Sequence, residues 1–199
     1  MRPLRRAEFL RTVLSGLVGV WTGSLVRSPF GRNAGAGLTA SEGPKLFLPT
    51  DFAPYPWMEF ALREYGIRQV STKGRTVNVT AYLKATGVGQ SSDETPWCSA
   101  FVNWSMLMAG FPGTKQASAR SWLEWGQPLK FPVYGCVIVL WRGSRKSSLG
   151  HVGLFVGLYG DNLLLLGGNQ GRAVSVRPYS KERVLGLRWL DGFPTPEET

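Results

Sequence analysis

The feature that most constrains this chain is a change of period at Pro132. Before it, apolar residues recur at helical spacing; after it, they come in short β-branched runs separated by glycine turns. Pro56 opens PWMEFALREYG, where Trp57, Phe60 and Ala61 share one helical face, Met58, Leu62 and Tyr65 share the next, and Gly66 closes the segment. Residues 78–85 read as a second short helix stopped by Gly87. Pro96 and Gly110 bracket a third, with Cys98 in its first turn, Phe101, Trp104, Ser105 and Met108 on one face, and Ala100 and Leu107 on an adjacent one. Residues 119–125 give a fourth, ending at Gly126. Runs at 136–141, 152–158, 163–166, 173–176 and 184–189 predict strands. Helices first and strands afterwards define an α+β chain with its helices packed on a C-terminal antiparallel sheet.

The sequence divides into three parts. Residues 1–36 hold six arginines and one acid, Glu8, and so carry half of the net charge of +10. A basic start precedes the mildly apolar 12–26, too short and too polar for a spanning helix but suited to an export signal. The Arg5-Arg6 pair followed by Phe9-Leu10 is similar to a twin-arginine signal, and Ala34-Gly35-Ala36 offers a small-residue cleavage site. Residues 37–50 are rich in Gly, Ser and Thr and read as a flexible linker, and 51–199 as the folded domain. An exported, monomeric protein is the expectation. The basic body favours contact with anionic cell-wall polymers. Zinc spacings, aromatic RNA-binding signatures and basic heptads are all missing from the sequence, so nucleic acid is not an expected partner.

Two cysteines, Cys98 and Cys136, and one histidine, His151, limit the chemistry sharply. They are too few for a disulfide framework or a zinc site, and no metal or cofactor is expected. Cys98 at a helix start has free N–H groups and a favourable dipole beside it, which lower a thiol pKa and can hold an oxyanion. Cys136, inside an apolar run, reads as core, so no disulfide to Cys98 is expected. His151 opens the strand HVGLFVGL, which turns at Tyr159-Gly160-Asp161 into NLLLLGGNQG. A three-residue loop sets His151 opposite Asn169; a two-residue loop makes the partner Gln170. Asn169, with the shorter side chain, is the favoured orienter of the imidazole.

Cys at a helix start, then His at a strand start, then Asn on the paired strand is the papain-like order. The strings DETPWCSAFVNWSM, SARSWLEWG, LWRGS, GHVGLFVG and LLGGNQG resemble the CHAP and NlpC-type cell-wall hydrolases over roughly residues 55–190. One departure is VSTKGRTVNV, where such chains carry a Gly-Ser-Asn-Pro-like loop. The resemblance implies a papain-like fold and cleavage of a peptidoglycan amide, with Cys98 as nucleophile, His151 as base and Asn169 as orienter. Trp97, Trp122 and Trp141 are candidate walls of a sugar-binding groove, although most tryptophans are core. Arg142, with Arg145 and Lys146, precedes His151 and is placed to meet a substrate carboxylate. Asp93 and Glu94 are candidates for calcium, as in some CHAP domains, or for helix N-terminal charge. The same nucleophile and base serve a cysteine acyltransferase, and a non-catalytic wall-binding module is the third reading.

Overall fold

The computed structural model describes residues 55–69, 79–87 and 95–195, and the backbone of 45–46 and 77–78; all belong to one unit, Glu42–Thr199. The expected signal (1–36), most of the linker, Asp93, Glu94 and residues 70–76 of the divergent loop lie outside the described residues. Lys45–Leu46, within the expected linker, forms strand β1. Among the described residues no helix is long and apolar enough to cross a membrane.

After β1, three α-helices precede the main run of strands, as the change of period predicts. Helix α1 (Pro56–Arg63) starts on its proline, carries Glu59 in its first turn and Arg63 in its last, and buries Trp57, Met58 and Ala61. Trp57 Nε1 donates to Gly135 O at 2.8 Å, fastening α1 to the turn before the sheet. Helix α2 (Val77–Lys84) inserts Tyr82 among the rings of Trp97, Phe101 and Trp104. Helix α3 (Cys98–Met108) is buried all round over its first turns, Cys98 to Asn103, because α1 and α2 pack against it and β4 lies along it. That burial corrects the face assignment read from periodicity: Met106 is inside, whereas Leu107 and Met108 are exposed. Residues Ala119–Glu124 form a 3₁₀ helix rather than an α-helix, opened by Ser118, whose hydroxyl accepts from the Arg120 N–H.

The strands are β2 (Gln127–Pro128), β3 (Val137–Trp141), β4 (Gly150–Tyr159), β5 (Asn162–Gly167), β6 (Ser175–Ser180) and β7 (Val184–Trp189), in spatial order β2-β7-β3-β4-β5-β6. All pairs are antiparallel, and β1 joins β4 beyond the end of β3. Strand β6 runs past the predicted 173–176 because it pairs only with β5. At such an edge Pro178 need not cost a ladder bond, so the strand continues to Tyr179 and Ser180.

The β4–β5 hairpin turns through two residues, Gly160 and Asp161, with Tyr159 opposite Asn162. A bulge between Phe155 and Gly157 then shifts the register by one. Beyond Gly167 the chain leaves the ladder. Gly168 lies where any Cβ would sit 2.6 Å from Phe101 Cβ and 2.7 Å from the Trp97 ring, so only glycine lets this turn close on the start of α3.

Candidate active site

Helix α3, strand β4 and the turn after β5 converge on Cys98, His151 and Gln170. Cys98 opens α3 and is 3% exposed. The Val152 N–H, the N–H groups of Cys98 and Ser99, and the Arg142 guanidinium all favour its thiolate. Burial outweighs them and pushes the thiol above its usual range. This corrects the expectation of a lowered pKa: the helix terminus acts on the sulfur, but in a site too dry for a resting thiolate. Cys136 is fully buried, its thiol pushed up to about 12 by desolvation, and both thiols are free.

His151, second residue of β4, is fully buried. Its Nε2 lies 3.1 Å from Gln170 Oε1. The Gln170 amide cannot be turned the other way without loss, because its Nε2 donates to the carbonyls of Leu165 and Ser175. Oε1 is therefore an acceptor, and the proton sits on His151 Nε2. Tyr179 Oη, also 3.1 Å from Nε2, shares that proton as a second acceptor. Nδ1 is left with its lone pair, which accepts from Arg142 Nη2 at 3.1 Å. The His151 pKa falls from 6.5 to about 4, first through desolvation, then through Arg142, with Gln170 pulling the other way and Arg183 adding to the fall. The resting pair is thus a neutral thiol and a neutral imidazole.

Gln170, not Asn169, hydrogen-bonds to the ring. Asn169 takes a left-handed backbone (φ 56°) and makes no hydrogen bond to His151. The loop is built around Gln170: its N–H donates to Ala173 O at 3.0 Å, and Ser175 Oγ donates to its carbonyl at 3.3 Å. The two-residue hairpin named Gln170 as the alternative, although after the bulge and the end of β5 the contact is made from a loop and not from a ladder position. Replacing Gln170 by leucine is expected to lower turnover about 10–100-fold by freeing the tautomer, whereas Asn169→Ala changes it less than about threefold; steady-state kinetics on the two variants check this.

Two of the three tryptophans expected in a groove are core. Trp97 is wholly buried, packs on Tyr82 and donates to Gln69 Oε1 at 3.0 Å. Trp122 is wholly buried and donates to Ser99 Oγ at 3.0 Å. Trp141 ends β3 beside the site, half-buried, with Nε1 donating to Glu182 O at 3.2 Å. Arg183 donates twice to Trp141 O (3.0 and 3.2 Å) and lies over the rings of Trp141 and Tyr179. The sequence does not mark Tyr179 or Arg183: Pro178 conceals the strand that carries the first, and nothing local distinguishes the second. Arg145 is turned to Val184 O, and Lys146 is exposed. Among the described residues no group of three His, Cys, Asp or Glu could hold a metal ion.

The site predicts a pH response of stability. The folded state holds fewer protons on His151 than the unfolded chain between pH 6.5 and about 4. Stability from this residue is therefore complete above pH 6.5 and is lost as pH falls through that window, by up to roughly 3 kcal/mol. Urea unfolding across pH 4–7 checks this, since His151→Gln should flatten the slope.

No family model matches this chain. No curated protein matches it. Its structure is similar to that of a solved protein from Staphylococcus aureus subsp. aureus Mu50 described as similar to a lipoprotein of the NLP/P60 family, with 16% identity and a TM-score of 0.44. The match covers 75% of this chain and 44% of that one, so the chain spans less than half the neighbour's length.

Proposed function

We propose that this protein is an exported cysteine amidohydrolase that cleaves a peptidoglycan amide. The observation that carries the reading is the fixed tautomer of His151. Gln170 holds the proton on Nε2, so the basic nitrogen is Nδ1, while the Val152 N–H beside His151 reaches the Cys98 sulfur. A thiol at a helix start and an oriented imidazole on the adjoining strand are the parts that papain-like thiol catalysis needs. The resemblance of PWCSAFVNW, GHVG and GGNQG to NlpC-type hydrolases supports the same substrate class.

The steps follow from the protonation states. The Cys98 S–H proton passes to His151 Nδ1, and the sulfur attacks the amide carbonyl. N–H groups at the start of α3 receive the developing oxyanion. The C–N bond breaks as the imidazolium returns its proton to the leaving amine, leaving a thioester on Cys98. Water, deprotonated by Nδ1, then releases the acid and restores the thiol. Gln170 keeps the ring in place throughout, and its carbonyl stabilises the imidazolium.

The test is digestion of purified sacculi by the full chain, with products read by mass spectrometry. Release of muropeptides carrying one new amine and one new carboxylate is the expected result, and their masses name the bond. Intact sacculi under reducing conditions would remove the cell-wall assignment. Appearance of an amide with an added amine acceptor, in place of the acid, would point to acyl transfer on the same site.

A further inference from the structure

The resting geometry contains an obstacle to its own chemistry. The base can take the thiol proton only through Nδ1, and that lone pair is already used by Arg142 Nη2 at 3.1 Å. Arg142 belongs to the largely exposed loop between β3 and β4, tied by its N–H to Leu149 O at 3.3 Å and followed by Gly143 (φ 72°), around which a Cβ would meet nothing. Among the described residues no carboxylate forms an ion pair with the guanidinium. The ion pairs among the described residues are Glu59–Arg63 and Asp161–Lys181, and neither involves Arg142. Arg183 likewise has no ion-pair partner among the described residues and is pinned to Trp141 O and to two ring faces. Burial shifts Cys98 and Tyr179 toward their neutral forms. Two cations, one pinned and one on a loop, therefore stand beside a buried thiol with no counterion among the described residues.

We propose that Arg142 is a removable cap on the base: a substrate carboxylate near the scissile amide pairs with Arg142, draws it off His151 Nδ1, and so frees the lone pair that takes the Cys98 proton. The site then discriminates for amides flanked by a free carboxylate and against their neutral analogues, because only the anion both binds and arms it. An Arg–carboxylate pair is a stronger, bidentate partner for the guanidinium than a neutral imidazole nitrogen, so the exchange is downhill. The inference rests on Cys98 and His151 acting as nucleophile and base, but it does not depend on peptidoglycan being the substrate.

Alkylation of Cys98 tests it without a known substrate. Iodoacetate and iodoacetamide differ by one carboxylate and meet the same burial. Rates at Cys98 are followed by peptide mass spectrometry on the full chain, with Cys98→Ala reporting any reaction at Cys136. The iodoacetate-to-iodoacetamide rate ratio is expected to fall at least about tenfold in Arg142→Gln. Arg142→Lys should retain much of the anion preference. A purely structural arginine would shift both reagents together, and a ratio that is the same in all three proteins overturns the proposal. If Arg142→Gln does not fold, Arg142→Lys beside wild type takes its place, with the salt response of wild type as a further check. Added salt must slow iodoacetate more than iodoacetamide, and equal slowing overturns the cap. A chain that leaves sacculi intact but keeps the anion preference loses the wall assignment alone; one that digests sacculi without the preference loses the cap alone.

Discussion

Replacing Cys98 by alanine is expected to lower amide cleavage by at least about 10³-fold, because no second group can take over the thioester step. Cys136, the one other thiol, is fully buried with its pKa pushed up to about 12. Stability should change little. Cys98 is small, and losing its sulfur leaves a minor cavity worth about 1 kcal/mol. Muropeptide release beside a urea melt separates the two effects. A variant that folds like wild type and does not cut is the expected outcome.

Trp122→Ala should do the reverse, losing about 3–5 kcal/mol of stability. For a unit of this size that corresponds to a fall in Tm of roughly 10 °C. The indole is wholly buried, stacks edge-on with Trp125 and donates to Ser99 Oγ, which in turn donates to Gln116 O at 2.7 Å. Its loss opens a cavity and strips one partner from a buried hydroxyl at the start of α3. Thermal melts of Trp122→Ala and Trp141→Ala make the contrast, since Trp141 is half-buried and should cost no more than about 1 kcal/mol. A small effect at Trp122 would return it to the groove in which the sequence placed it.

What the sequence disclosed was what neighbouring residues decide. Pro96, Gly110 and the apolar run between them mark helix α3, and its start is where Cys98 falls. Alternating glycine turns and β-branched runs mark the strands, and His151 falls at the start of one. The contacts that complete the site are set by longer-range geometry. The bulge beside Val156 returns the register to the one that would set His151 opposite Asn169, and it is the glycine turn after β5, outside the ladder, that brings Gln170 to the imidazole instead. Tyr179 arrives on a strand that Pro178 hides from propensity reasoning. The burial of Trp97 and Trp122 depends on which elements pack above them, and period alone does not report that. Arg142 was legible as a basic residue near the site, but its hydrogen bond to Nδ1 belongs to the folded loop.

The central claim is that Cys98 and His151 work as one unit. Its most direct test is a double-mutant cycle on muropeptide release by wild type, Cys98→Ala, His151→Ala and the double variant. The account predicts that each single variant loses nearly as much rate as the double, since a nucleophile without its base and a base without its nucleophile are equally idle. Losses that multiply, or cleavage that survives in Cys98→Ala, would contradict it.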